Sequence, residues 1–306
     1  MATTRGNLAC LLLDTLASTG VEYAVLHGED RIAEGRADSD VDVAVAAAPH
    51  QVVRSLAPML AASRLVLGLV WRYDVGALAS LWLTAPGPDA AQLDLVCDPD
   101  GYGRYGVRTG ALLQRRVRGR CWWRLDGPAE RLYLLSRRVE REDRPGSVRL
   151  LDIRPSERQL LARLSNQVLA DWRRPRVVRL LEGAPAPASR LPPLQVRLLR
   201  AEQLAGRAMQ CIGCWLTIGG DPTGEAMRAV HGSFARVLPR TRVLDGAAPL
   251  VVMHAQVERR RAGLAISRPV PCIRPDLALT AGEPRANSRI LACLARRASQ
   301  TLQALS

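Results

Sequence analysis

The stretch that decides the fold is VEYAVLHGEDRIAEGRADSDVDVAV, residues 21–45. An apolar run at residues 23–26 leads through Gly28 into a polar loop. In the last seven residues, SDVDVAV, valine recurs at every second position with aspartate or alanine between, and this pattern is typical of a strand with one buried face. The valines then face the core, whereas Asp40 and Asp42 share the opposite face of the strand.

Two neighbouring carboxylates repel each other, and their removal from water is costly, so a cation is the usual remedy. Hard divalent ions take carboxylate oxygens and keep room for phosphates. A third acid, Asp94, lies in QLDLV between two leucines that face the core. Acids from two strands can converge on a pair of metal ions about 4 Å apart. We therefore predict a site for Mg²⁺ or Mn²⁺ at Asp40, Asp42 and Asp94; the alternative is a solvated strand face that carries aspartates.

The order of these features resembles the polymerase-beta-like nucleotidyltransferase superfamily. That pattern is a strand, a turn with Gly28, a D-x-D strand with Asp40 and Asp42, and a third acid, Asp94, on a later strand. More narrowly, VLHGED, SDVDVAV and LDLV resemble uncharacterised nucleotidyltransferases that are found with bacterial polysaccharide biosynthesis. The resemblance covers roughly the first half of the chain.

The resemblance implies attack by a hydroxyl group on the α-phosphate of a nucleoside triphosphate such as ATP, with pyrophosphate leaving. The catalytic and metal-binding residues would be the three acids just named. The nucleotide would lie against His27, Gly28 and Ser39, although a local structural role for His27 is an equal alternative. The acceptor would be a sugar, a polysaccharide precursor or another small hydroxyl compound.

A second motif lies at residues 214–226, where CWLTI predicts a strand that runs into GGDPTGEA. Compared with G-x-x-x-x-G-K-[ST], the glycines fall at Gly219 and Gly224, but Glu225 and Ala226 replace the lysine and the hydroxyl residue. The segment resembles the phosphate loop of thymidylate-kinase-like proteins with its chemistry removed, so we expect no kinase activity. Backbone N–H groups near Gly219 and Gly224 would still bind an anion; the alternative is an ordinary glycine-rich turn.

These patterns predict an α/β protein, with an α+β nucleotidyltransferase-type mixed sheet and helices followed by a smaller P-loop-like α/β domain. The predicted domains are a nucleotidyltransferase-like domain at 1–125, a helical extension at 126–183, a linker and basic helix at 184–210, and a degenerate P-loop kinase-like domain at 211–306. The helices of the extension carry arginines on their polar sides, which we predict to be solvated. These residues are Arg131, Arg137, Arg138, Arg141, Arg158 and Arg163.

Composition limits the partners without choosing among them. The net charge is +14, and every one of the 43 basic side chains is arginine. Arginine binds phosphate through a fork of donors, so nucleotides, sugar phosphates, nucleic acid and anionic membranes are all compatible. Nucleic acid is weakly supported, because aromatic residues for base stacking are scarce. Seven scattered cysteines fit reduced thiols in a cytoplasmic protein, and no apolar run is long enough for a transmembrane segment.

A second hypothesis is a catalytically inactive nucleotide-binding or scaffolding protein that keeps both folds. Many superfamily members carry serine after the turn glycine, whereas this chain has Glu29, an anion that would repel a triphosphate. Together with Glu225 and Ala226, this residue favours the second hypothesis. Further along, GYGRYG at 101–106 predicts a flexible surface loop; the alternative is that its glycines, with Arg104 and Arg108, lie over the site.

Overall fold

The computed structural model describes residues 4–36, 40–84, 89–142, 153–183, 193–209, 215–219, 241–243, 250–252, 277–280 and 285–305. The predicted α/β class is confirmed, because helices accompany a seven-stranded mixed sheet. The chain forms two compact units. The first comprises Met1–Leu56, Arg72–Ala79 and Leu93–Leu204, and the second comprises Ala57–Trp71, Ser80–Gln92 and Ala205–Ser306. The domain boundaries given above stay predictions.

Seven short strands form the larger sheet. They are β1 (Tyr23–Val25), β2 (Val41–Val45), β3 (Leu65–Asp74), β4 (Ala77–Thr84), β5 (Ala90–Val96), β6 (Arg116–Arg118) and β7 (Trp123–Leu125). Their order across the sheet is β3-β4-β5-β2-β1-β7-β6. Strand β1 pairs antiparallel with β2 and parallel with β7, and β2 pairs parallel with β5. The predicted D-x-D strand is therefore central, with β5 as its direct neighbour.

Eight helices lie in the described residues up to 209. They are α1 (Thr4–Ser18), α2 (Glu29–Ala33), α3 (Pro49–Ala62), α4 (Thr109–Leu113), α5 (Gly127–Glu142), α6 (Pro155–Val168), α7 (Arg174–Leu181) and α8 (Leu194–Met209). The longer ones show helical spacing of apolar residues; α1, for example, buries Leu8, Leu12 and Leu16. The residues after Gly28, which we expected to form a polar loop, form helix α2 instead. Gly28 precedes it with a φ of +72°, a conformation that glycine adopts without strain.

Helices cover the face of the sheet that carries Asp42. A buried apolar cluster joins Ala24 and Ala44 of the central strands to leucines of α5 and α6. Asp42 lies two residues before Ala44 on β2, so its side chain points to the same face. All five residues of β2 are buried. The prediction of a strand with a single buried face is therefore wrong, because the sheet is covered where a solvated face was expected.

The second unit contains a four-stranded sheet within its described residues. Its strands are β8 (Trp215–Gly219), β9 (Thr241–Val243), β10 (Leu250–Val252) and β11 (Leu277–Thr280), in the order β11-β8-β10-β9. Strand β8 pairs parallel with β11 and antiparallel with β10. Helix α9 (Ala286–Ala304) contacts β11 and buries Ile290 and Leu294. Gly219 ends β8, whereas Gly224, Glu225 and Ala226 lie outside the described residues.

Among the residues that the structure describes, no helix is long and apolar enough to cross a membrane. Helix α8, which the sequence predicts to be basic, exposes Leu194 and Leu198 while it buries Val196.

The turn at Gly76, between β3 and β4, has no room for a side chain. Its φ is +63°, and an added Cβ would overlap the carbonyl of Cys97. We expect Gly76→Ala to lower the free energy of unfolding by about 3 kcal/mol or more, since backbone strain and a clash combine. The control is Gly20→Ala, where φ is +74° but the added Cβ would enter open space among the described residues, with an expected cost of about 1 kcal/mol. Urea unfolding measures both, and equal losses would contradict the steric argument.

Candidate functional site

Asp42 and Asp94 lie side by side on neighbouring strands. In the parallel pairing of β2 with β5, Asp42 is the register partner of Asp94. Register partners project from the same face of a sheet, so both carboxylates lie on the face that α5 covers. Asp42 is buried and Asp94 is half-buried. The structure thus brings together two of the three acids that the sequence predicts to act as one site.

The third acid, Asp40, lies immediately before β2 and is exposed, and Ser39 is outside the described residues. In the described part of the chain, no group of three or more His, Cys, Asp or Glu side chains is placed to hold a metal ion. Mg²⁺ often binds through one or two carboxylates and completes its shell with water and substrate phosphates. The adjacent carboxylates of Asp42 and Asp94 fit an ion of that kind by their donor chemistry.

Two side chains already contact the carboxylate of Asp42. Arg137 of α5 donates from Nη1 to Asp42 Oδ2 at 2.6 Å. The Nε2 atom of His27, two residues after the end of β1, lies 2.8 Å from the same oxygen and 2.6 Å from Arg137 Nη1. A single Nε2 atom cannot both donate to Asp42 and accept from Arg137, so only one of its two contacts is a hydrogen bond in any one tautomer. His27, which we predicted to contact the nucleotide, therefore contacts the carboxylate of Asp42 in this structure.

The pair formed by Asp42 and Arg137 is ionised on both sides. Burial would raise the pKa of Asp42, but the hydrogen bond with His27 and the charge of Arg137 outweigh burial and hold that pKa below its usual value. Burial would likewise lower the pKa of Arg137, yet the carboxylate of Asp42 raises it above its usual value. A buried carboxylate without such partners would take up a proton instead. Asp42 is therefore negatively charged in this site, and the cation that neutralises it is the guanidinium of Arg137.

One face of α5 supplies three contacts to this site. Glu130 Oε1 accepts the backbone N–H of Gly28 at 3.1 Å. The ring of Tyr133 stacks on His27, with centroids 6.1 Å apart and planes at 21°. Glu130, Tyr133 and Arg137 are separated by three and four residues, so they form one stripe of the helix. The prediction of a solvated face is wrong for Arg137, because this stripe points to the sheet and the side chain of Arg137 is 19% exposed, and for Arg138, which is buried.

Three tyrosines, Tyr73, Tyr105 and Tyr133, surround the pair of carboxylates. Burial, and then the charges of Asp94 and Asp42, raise the pKa of Tyr73 well above its usual value. The guanidinium of Arg137 lies over two of the rings, 5.7 Å from the centroid of Tyr105 and 5.6 Å from that of Tyr133. Burial likewise raises the pKa of Tyr133, so the phenols of Tyr73 and Tyr133 stay protonated at neutral pH and are hydrogen-bond donors. They were not predicted, because isolated tyrosines far apart along the chain form no motif.

A small cavity of about 20 Å³ lies against the hydroxyl-bearing ring of Tyr133. Asp74 and Asp98 also line it. The Tyr133 hydroxyl is buried and has no hydrogen-bond partner among protein atoms in the described residues. A cavity of this size has room for one water molecule, and a buried hydroxyl usually has such a partner.

Glu29, the residue that departs from the superfamily pattern, has a structural role. Its carboxylate accepts three backbone N–H groups, from Arg120 at 3.3 Å, Cys121 at 2.8 Å and Trp122 at 3.2 Å. Burial would raise the pKa of Glu29, but these hydrogen bonds outweigh it and lower the pKa. Its carboxylate therefore holds the turn between β6 and β7, and the expectation that it repels a triphosphate stays a prediction.

The segment at residues 101–106 is bonded along its length, although the sequence predicts a flexible surface loop there. Side chains outside the segment bind its peptide groups: Asp98 accepts from the N–H groups of Tyr102 and Gly103, Asp74 accepts from that of Arg104, and Trp172, Arg200, Arg173 and Ser136 donate to the carbonyls of Gly101, Tyr102, Arg104 and Tyr105. These bonds place Arg104 over the rings of Tyr73 and Tyr105, at 5.4 and 4.6 Å from the centroids. The alternative, that this segment belongs to the site, therefore has structural support.

The second motif has two predicted anion-binding glycines. The first, Gly219, is the last residue of β8 and belongs to the second unit. Gly224 is outside the described residues, so the anion-binding prediction for this pair stays a prediction.

Comparison with known proteins gave the same result in both searches: no family model matches the chain, and no curated protein matches it.

Removal of the Glu29 charge is expected to weaken the hairpin turn that it holds. Glu29→Gln keeps the shape but loses the charge and places an N–H₂ group among N–H donors, so the free energy of unfolding should fall by about 2 kcal/mol. The control is Glu34→Gln on the same segment, where an exposed ion pair with Arg36 contributes about 0 to 1 kcal/mol. Urea unfolding of both variants measures the difference, and equal losses would contradict the role of the buried carboxylate.

The ionisation of Asp98 makes stability depend on pH. Burial raises its pKa to about 6 although Gly103 and Tyr102 donate to it, and the charge of Asp74 adds to the rise. Because the folded pKa exceeds the unfolded value, the contribution to stability is complete below about pH 4 and is lost as pH rises through 6, by roughly 2 to 3 kcal/mol.

The measurement compares wild type with Asp98→Asn by urea unfolding between pH 4 and 7.5. The stability of wild type relative to this variant should fall as pH rises. The exposed residue Asp100 provides the control, since Asp100→Asn should show no such slope. A difference independent of pH for Asp98→Asn would contradict the shifted pKa.

Proposed function

We propose that this protein is a metal-dependent nucleotidyltransferase of the polymerase-beta-like kind. One observation carries the proposal: Asp42 of the D-x-D strand and Asp94 of a later strand are register partners on one face of the sheet. The turn at Gly28 adjoins them, since His27 contacts Asp42 directly. Two of the three acids therefore lie next to each other and beside the glycine turn, and this adjacency supports the proposal.

Asp42 and Asp94 would hold Mg²⁺ or Mn²⁺, which when bound polarises the α-phosphate and neutralises the leaving pyrophosphate. The half-buried Asp94 would accept the proton of the attacking hydroxyl group. In the described part of the chain, the space beside Gly28 where a Cβ would lie is open apart from its chain neighbours, so phosphates would have room at that turn. Arg137 offers guanidinium N–H groups at the same place. The substrates would be a nucleoside triphosphate and a sugar or another small hydroxyl compound.

The second candidate is a nucleotide-binding or scaffolding protein without catalysis. It is favoured by the position of Asp40, which is exposed before β2, and by Arg137, which already neutralises Asp42. For the C-terminal half we propose a degenerate P-loop-like domain, supported by Gly219 at the end of a strand that pairs parallel with β11. A cytoplasmic location is proposed from the cysteines. Those in the described residues are free thiols: Cys10, Cys97, Cys121 and Cys293.

Pyrophosphate release tests the first candidate directly. Wild type is incubated with each common nucleoside triphosphate, Mg²⁺ or Mn²⁺, and a panel of sugars and sugar phosphates. Asp42→Asn and Asp94→Asn should each lose about 100-fold or more of the activity, because a metal-bound carboxylate supplies several kcal/mol to the transition state.

The matched control is Asp100→Asn, an exposed carboxylate six residues after Asp94, which should keep full activity. Nucleotide binding without pyrophosphate release, equal in wild type and Asp42→Asn, would favour the second candidate.

A further inference from the structure

The guanidinium of Arg137 lies where a cation on Asp42 would make its contact. Its Nη1 atom is 2.6 Å from Asp42 Oδ2, and the side chain of Asp42 is only 11% exposed. A carboxylate oxygen that accepts from a guanidinium at this distance has little room for a divalent ion. Any positive ion placed there would also face the fixed charge of Arg137 at close range, in surroundings where screening by water is weak.

The surroundings allow Arg137 to change its partner. Its charged group rests on the rings of Tyr105 and Tyr133, which attract a guanidinium whichever anion it faces. His27 Nε2 lies 2.8 Å from Asp42 Oδ2 and can donate to it when Arg137 does not. Asp42 would therefore keep a hydrogen-bond donor after Arg137 has left.

We propose that Arg137 is a positioning residue that couples metal binding to triphosphate binding. Before substrate binds, Arg137 holds Asp42; when the triphosphate arrives with its metal ion, Arg137 moves its N–H groups to the phosphates and frees the carboxylate. This inference rests on the proposed function and adds that strong metal binding requires the triphosphate. Metal alone binds weakly because Arg137 competes for Asp42, whereas metal and triphosphate together bind strongly because the phosphates take Arg137 over.

The test measures binding rather than turnover. Mn²⁺ affinity is measured by electron paramagnetic resonance, and affinity for α,β-methylene analogues of the nucleoside triphosphates is measured by calorimetry with and without Mn²⁺. In wild type, Mn²⁺ should strengthen analogue binding at least about tenfold. In Arg137→Gln, Mn²⁺ alone should bind about tenfold more tightly than in wild type, analogue binding should weaken, and the strengthening by Mn²⁺ should largely disappear.

The matched control is Arg131→Gln on the same helix, which removes an arginine that pairs with Glu157. It should behave as wild type in every measurement. If Arg137→Gln does not fold, Arg137→Lys takes its place, since its shorter side chain contacts Asp42 less closely and should let Mn²⁺ bind a few-fold more tightly. Equal or weaker Mn²⁺ binding in the folded variant overturns the inference.

Asp42→Asn separates the inference from the function on which it rests. Loss of Mn²⁺ binding in Asp42→Asn, together with unchanged Mn²⁺ affinity in Arg137→Gln, overturns the role of Arg137 and leaves the metal site in place. Mn²⁺ binding that is the same in wild type and Asp42→Asn overturns both, because the ion then binds elsewhere.

Discussion

The ion pair between Asp42 and Arg137 links the central strand to helix α5. An ionised carboxylate in a covered sheet costs several kcal/mol unless a cation lies beside it, and removal of one partner from such a pair is strongly destabilising. Helix α5 therefore has to cross this face with Glu130, Tyr133 and Arg137 toward the strands. With α5 in that position, leucines of α5 and α6 close the apolar cluster over the sheet.

Two other acids near the site, Glu29 and Asp98, are also buried and hydrogen-bonded, but their pKa values shift in opposite directions. Glu29 accepts three backbone N–H groups, and its pKa is lowered. Asp98 accepts two from Tyr102 and Gly103 and has Asp74 as a negative neighbour, and its pKa is raised to about 6. Two turns are thus held by carboxylates, one by an acid with a lowered pKa and the other by an acid whose pKa is about 6. The second turn presents Arg104 to the tyrosines of the site.

Local patterns explain which parts of the fold were predictable. Alternation marked β2, two flanking leucines marked the strand of Asp94, and helical spacing marked the long helices. Helices α2 and α4 are too short for a periodic signal and were not predicted, whereas α7 lies inside the predicted helical extension. The face of Arg137 was misassigned because a basic stripe on a helix is usually solvated, and nothing local distinguishes one that meets a buried carboxylate.

The sequence by itself determined that Asp42 and Asp94 lie on strands, each between apolar neighbours, because side-chain alternation is a property of one strand alone. The register that makes these residues neighbours belongs to the pairing of β2 with β5, which is made by hydrogen bonds between segments about 50 residues apart. Tertiary structure alone also decided the partners of the charges: Arg137 for Asp42, and the amides of residues 120–122 for Glu29. The physical reason is that the cost of a buried charge is set by whatever lies around it in space, and that is known only once the whole chain has packed.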